Sequence, residues 1–334
     1  DRFFLDPGHM SPMLYAQLAL VGKFDMEELK QLRQWGSPTP GHPEVDVERG
    51  IENTSGPLGQ GHTFAVGAAI AAKFLAERLG WVMSQTIYAY ISDGGIQEEI
   101  SQGAGRVAGH LGLDNLIMYY DANNIQLSTK VDEVDSEDVA AKYRAWGWKV
   151  LSIDGCDSDA IRAALTEAKA TVGQPTLIIG RTIMGRGAVA ADGSSFEDKV
   201  STHGQPLSAA GADFAATVRH LGGDPEDPFR IFPDVQALYD ARLSELRQLA
   251  AARREEEARW AVENPDRAAK LERWFGGAAP SIDWGQIEQK PNQATRAASA
   301  TVLSALATQV ENMIVASADL SNSDKTDGFL KKTR

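Results

Sequence analysis

Between about Thr86 and Arg181 the chain alternates short apolar runs with longer stretches whose apolar residues recur at helical spacing. The runs TIYAYIS, NLIMYYD, WKVLSI and PTLIIGR read as strands, and the stretches between them, one running through Gly112 and one from Ser136, read as helices. Short strands alternating with helices of about 10–15 residues predict βαβ crossovers. The expected fold class is therefore α/β, a doubly wound parallel sheet with helices on both faces. Ligands of such folds sit at the C-terminal ends of the strands. Upstream, Phe64 to Ala76 is apolar except for Lys73 and predicts a buried helix.

The pattern changes after Leu221. GGDPEDPFRIFPD is rich in Pro and Asp, and Val235 to Phe275 is a charged helical tract with RREEEAR at its middle. Such a run is the solvated face of a helix, laced with i,i+4 pairs. From Thr295 the segment TRAASATVLSALATQ predicts an amphipathic helix, Met313 to Ala316 a strand and SADLSNSD a polar loop, while GFLKKTR supplies no further element. A helical linker over 223–293 and the start of a second, incomplete α/β domain over 294–334 are expected, after a first domain over 1–222.

Composition narrows the partners. The chain of 334 residues carries 33 Lys and Arg against 46 Asp and Glu, a net charge of −13. That balance opposes nucleic-acid binding, which needs clustered cations to replace counterions on phosphates. No apolar run approaches the roughly 18 residues of a membrane span, so no membrane partner is expected. The lone Cys156 lies in the acidic segment IDGCDSD and reads as a structural thiol. With no charged and apolar leader at the start, a cytoplasmic and incomplete chain is expected.

Chemistry concentrates at the predicted strand ends. TIYAYIS runs into Asp93, Gly94 and Gly95, and NLIMYYD into Asn123, Asn124 and Ile125; Asp93 and Asn123 are 30 residues apart, one βαβ crossover. Parallel topology then sets the Asp93 carboxylate beside the Asn123 amide, hard oxygen ligands suited to Mg²⁺ or Ca²⁺ with phosphate oxygens completing the shell. The two glycines would let backbone approach a phosphate and open a helix from Ile96. SGPLGQG, Ser55 to Gly61, is a second candidate anion or cofactor loop; without a following Gly-Lys-Ser/Thr it is not a triphosphate loop. Gly103, Gly105 and Gly109 lie inside a helical stretch and are expected to permit close packing. His9 in PGHMS, His42 in TPGHPE and His203 in STHGQP each stand in a Gly- or Pro-rich loop, whereas His62, His110 and His220 are expected to be structural.

In order and approximate spacing, TPGHPE, SGPLGQG, DGGIQEEISQ, DANNI, TIMGRG and THGQPL resemble the transketolases, thiamine diphosphate enzymes, from His9 through to SADL. The resemblance implies a thiamine diphosphate-binding fold, the interdomain linker and the beginning of a pyrimidine-binding domain. It implies Asp93, Asn123 and the Ile125 carbonyl as metal ligands, and Gly56, Leu58 and Gly94 at the cofactor. His9 and His203 would approach the diphosphate or substrate, and His42 a substrate hydroxyl. Glu98 would communicate across a homodimer, Arg296 and Ser323 bind substrate phosphate, and Asp319 lie near the thiazolium. The implied reaction moves a two-carbon ketol unit from a ketose phosphate to an aldose phosphate, with His9, His42, His203 and Glu98 in the catalytic machinery. Ser92, Glu99 and Val200 depart from the family pattern, and Ser92 is expected to be tolerated. The family's catalytic glutamate and pyrimidine pocket have no counterpart here, so the chain alone is expected to be inactive. A dihydroxyacetone synthase-like enzyme and a non-catalytic cofactor-binding half subunit are the alternatives.

Overall fold

The computed structural model describes residues 1–277 and 279–333, which divide into two compact units, Asp1–Glu255 and Glu256–Arg334. The four strands predicted between Thr86 and Arg181 form, as β2 (Ile87–Ser92), β3 (Leu116–Ala122), β4 (Lys149–Asp154) and β5 (Thr176–Arg181). The pattern did not reveal a fifth, β1 (Arg2–Leu5), which pairs with β2 from Arg2–Ile87 to Leu5–Tyr90. All pairings are parallel and the strand order is β1-β2-β3-β5-β4, so β2 and β3 are immediate neighbours.

The helices of the first unit are α1 (Ser11–Leu20), α2 (Met26–Lys30), α3 (Gln60–Leu79), α4 (Asp93–Gln97), α5 (Glu99–His110), α6 (Val139–Ala145), α7 (Ser158–Lys169), α8 (Leu207–Ala210), α9 (Phe214–His220) and α10 (Pro233–Glu263), the last running past the unit boundary. The pleat sorts the core. Ile87, Ala89 and Ile91 of β2, with Leu116, Met118 and Tyr120 of β3, meet Ala65, Val66 and Ala69 of α3, Ala108 of α5 and Tyr143 of α6. The alternate residues Ile117 and Ile178 meet Ala164 and Ala168 of α7, and Leu5 meets Leu14 and Tyr15 of α1. Helices thus cover both faces, as the central strands β2, β3 and β5, apolar at most positions, require. Each fully buried Ile or Leu contributes about 1.5–3 kcal/mol.

Two local expectations need correction. The helix after β2 begins at Asp93, not Ile96, because the Ser92 hydroxyl caps it by accepting from the Gly95 N–H at 3.4 Å. The departure at Ser92 therefore has a local use. That helix and α5 are separate, since Glu98 is extended (φ −63°, ψ 133°) and breaks the run. In α5, Gly109 and Gly105 lie against Trp146, leaving no room for a Cβ at Gly109, whereas the space around Gly103 is open.

The second unit holds the end of α10, α11 (Pro265–Phe275), α12 (Thr295–Gln309) and α13 (Asp327–Thr333). Pro265 separates α10 from α11: it cannot donate the next helical hydrogen bond and sits at the first helical position instead. Ser304 of α12 donates to the Gly328 carbonyl at 3.2 Å, and Lys270 pairs with Glu311 at 2.8 Å. The strand expected over Met313–Ala316 is absent. A strand needs a hydrogen-bonded neighbour, and among the described residues this unit has none. GFLKKTR, read as featureless, instead lies largely within α13. None of the described helices is long and apolar enough to cross a membrane.

Candidate functional site

The ends of β2 and β3 bring Asp93 and Asn123 together as the crossover spacing requires. Asp93 is 2% exposed; its Oδ2 accepts from the Asn123 N–H at 3.1 Å and its Oδ1 from the Tyr120 hydroxyl at 2.5 Å. Burial pushes its carboxyl up to about 6, opposed by the Tyr120 hydroxyl and the Asn123 amide and reinforced by Asp121. Asn123 Oδ1 accepts from the Ile125 N–H at 2.9 Å, and Asn124 adopts φ +63°, turning the chain after β3. The Asp93 carboxylate, the Asn123 amide oxygen and the Ile125 carbonyl are hard oxygens at these two strand ends that a cation could use. Among the described residues no three His, Cys, Asp or Glu side chains converge on a common point. A Mg²⁺ or Ca²⁺ held here would therefore take further oxygens from a diphosphate and water, and the donor set fits that group.

Beside this pair lie the loop histidines. The His9 and His203 rings are 5.0 Å apart between centroids and tilted by 34°. His42 approaches through Gly8, where a Cβ would come within 2.6 Å of His42 Cδ2 and 3.0 Å of the Gly56 nitrogen. Burial, then the charges of His203, His42 and Arg33, pull His9 down to about 4. Burial also lowers His203, against a hydrogen bond with the Ile125 backbone that raises it. Both imidazoles are neutral near pH 7, and the Ile125 contact ties His203 to the Asp93–Asn123 end of the sheet. Leu58 sits over Gly94, where a Cβ would lie 2.9 Å from its Cδ1.

Two expectations about glycine-rich turns change. The α3 N-terminus, expected to offer amides to an anion, already holds one. Asp6, 1% exposed at the end of β1, accepts from Gly59 at 3.1 Å and from His62 at 3.4 Å. It supplies the cap that Gly59, at φ +82°, has no side chain to provide. At Gly95 a Cβ would collide with Asp6 Oδ2, which by itself requires a glycine there.

Glu98, exposed, joins α4 to α5, its Cβ against Gly59. Arg296 on α12, and Asp319 and Ser323 in the turns before α13, belong to the second unit, each exposed. His62 is fully buried, its Nδ1 2.5 Å from Ser101 Oγ, in keeping with a structural role. Sequence reading missed Tyr120, which looked like one more apolar strand residue, and Asp6, whose signal was the run RFFL ending in Asp-Pro-Gly.

A parallel sheet covered on both faces, with an acid–amide pair and loop histidines at its strand ends, is the architecture of a cofactor-diphosphate-binding α/β domain. The family model for the transketolase thiamine diphosphate binding domain matches residues 1–280. The chain belongs to the transketolase family. It is 38% identical to transketolase 2 of Xanthobacter flavus over 341 aligned residues, covering 98% of this chain and 48% of that protein. It is also 38% identical to the transketolase of Geobacillus stearothermophilus, covering 98% and 49%. Among solved structures it superposes on transketolase from Leishmania mexicana with a TM-score of 0.88 at 34% identity, covering 98% of this chain and 49% of that one. A Pichia stipitis transketolase in complex with sedoheptulose-7-phosphate gives 0.87 at 34%, with the same coverage. The chain spans about half the length of the curated relatives it matches.

Proposed function

We propose that this chain is the cofactor-diphosphate-binding part of a transketolase, which transfers a two-carbon ketol unit from a ketose phosphate to an aldose phosphate. The observation that carries the reading is the pairing of Asp93 with the Asn123 backbone at the ends of β2 and β3, together with the ring-to-ring His9–His203 pair. A divalent cation, Mg²⁺ or Ca²⁺, would be held by Asp93, Asn123 and the Ile125 carbonyl. Thiamine diphosphate would supply the carbon centre that carries the two-carbon unit. Gly56, Leu58 and Gly94 would line its path.

The neutral imidazoles of His9 and His203 can accept or return a proton at a ring nitrogen, and His42 is assigned to a substrate hydroxyl. Arg296 and Ser323 are assigned to substrate phosphate, and Asp319 to the thiazolium side of the cofactor. Residues 1–222 are proposed as the cofactor domain, 223–293 as the linker and 294–334 as the start of the pyrimidine domain. The unit boundary at 255 falls within that linker.

A homodimer belongs to the same reading. Ile100 and Val107 of α5 and Leu111 just past its end make an exposed stripe, 51%, 46% and 49% exposed, beginning two residues after Glu98. Seven- and four-residue steps keep such a stripe on one helix face, and a second copy would cover it. The free thiol of Cys156 suits a reducing compartment such as the cytoplasm. The reading is tested on the complete protein by following two-carbon transfer between a ketose phosphate and an aldose phosphate, with thiamine diphosphate and Mg²⁺ added. Transfer is expected, and His42→Ala should lower kcat/KM by about 10²-fold or more. No transfer by the wild-type protein would contradict it.

A further inference from the structure

Both oxygens of the Asp93 carboxylate carry a protein donor: the Tyr120 hydroxyl on Oδ1 at 2.5 Å and the Asn123 N–H on Oδ2 at 3.1 Å. A carboxylate oxygen accepts two bonds, and the Asn124 amide adds a third donor to the group, which leaves the carboxylate a lone pair for a cation. The group cannot swing, however, without giving up a partner that is itself fixed. Tyr120 is 6% exposed, pairs in register with Ile91 on the neighbouring strand, and has its ring packed among Ile91, Ile96 and the α3 side of the core. Its hydroxyl therefore reaches Asp93 from one direction only.

Cations differ in what they ask of such a ligand. Mg²⁺ demands near-ideal octahedral geometry at short distances, whereas Ca²⁺ accepts longer bonds, more ligands and one- or two-oxygen carboxylate contacts. A pinned carboxylate favours the stricter ion, and freeing it relaxes that bias. We infer that Tyr120 is a positioning residue that biases the Asp93–Asn123–Ile125 site toward Mg²⁺ and away from Ca²⁺. The inference rests on the metal-diphosphate reading above and adds to it the residue that sets cation preference.

The test titrates the complete protein with Mg²⁺ and, separately, with Ca²⁺ at saturating thiamine diphosphate, and reads the two dissociation constants by calorimetry. In Tyr120→Phe the Mg²⁺ affinity should fall by about 10–100-fold, as for the loss of other outer partners of metal ligands. The Ca²⁺ affinity should fall by less than about threefold, so the ratio of the two shifts toward Ca²⁺. Tyr90→Phe serves as the control, because it removes a phenol bond of 3.1 Å to Asp121 at the same sheet edge without touching Asp93. It should leave the ratio unchanged. If melting shows that Tyr120→Phe does not fold, Tyr120→Met should give the same shift. An unchanged ratio in the Tyr120 variants, equal losses for the two ions, or an equal shift in Tyr90→Phe would overturn the inference. Failure of the wild-type protein to bind thiamine diphosphate with either metal would instead sink the functional reading beneath it.

Discussion

His62 offers a quantitative test of how the region around Glu98 is built. It is fully buried where α3 meets α5, with Nδ1 2.5 Å from Ser101 Oγ and the ring edge-on to Trp148. Burial pulls its pKa down from 6.5 to about 4. Between those values the unfolded chain binds a proton that the native state refuses, so stability falls as pH drops across the window. The gap, at about 1.4 kcal/mol per unit, limits the loss to about 3 kcal/mol. About 2 kcal/mol of it is gone by pH 5. His62→Leu removes the titrating group. It exchanges the Ser101 bond for apolar contact, which should cost about 1–2 kcal/mol at pH 7.5. Urea unfolding of both proteins at pH 7.5 and pH 5 reads the difference. The wild type should lose about 2 kcal/mol more than the variant on acidification, bringing the two close together at pH 5. Equal losses in both proteins would refute the claim that His62 is held neutral in the native core.

Other perturbations address the remaining supports of the site. Asp6→Ala leaves the Gly59 and His62 amides of α3 without acceptors. It should cost about 2–4 kcal/mol in urea unfolding, and a loss under about 1 kcal/mol would mean that water replaces the carboxylate. Val107→Glu places a charge in the exposed α5 stripe and should shift the complete protein toward monomer in analytical ultracentrifugation, with little change in the melting of the monomer. An unaltered dimer would move the interface elsewhere.

Much of the architecture could be read in advance because the relevant signals are local. The strands β2, β3 and β5 are short, nearly unbroken apolar runs between turn residues, β4 mixes apolar and polar positions, and one crossover places Asp93 next to Asn123 with no other information. The loops around His9, His42 and His203 were conspicuous for the same reason, and the fold brings the first and last ring to ring. What escaped notice depends on partners distant in sequence. β1 is four residues long and becomes a strand only by pairing with β2, 85 positions further on. Asp6 caps a helix that starts more than 50 residues later, which the Gly-rich turn itself conceals. Tyr120 carried an ordinary strand signature, and only the register with β2 turns its hydroxyl toward Asp93. The reverse error, at Met313–Ala316, came from treating an apolar run as a strand where no neighbour pairs with it.

Asp93 and Asn123 at the ends of β2 and β3 are proposed to hold a metal-bound diphosphate. The most direct measurement is calorimetric binding of thiamine diphosphate to the complete protein, with and without Mg²⁺, for the wild type and Asp93→Ala. Binding should require Mg²⁺ in the wild type and be lost in Asp93→Ala, while the fold, followed by circular dichroism, is retained. Metal-independent binding, or binding that survives in Asp93→Ala, would contradict that proposal.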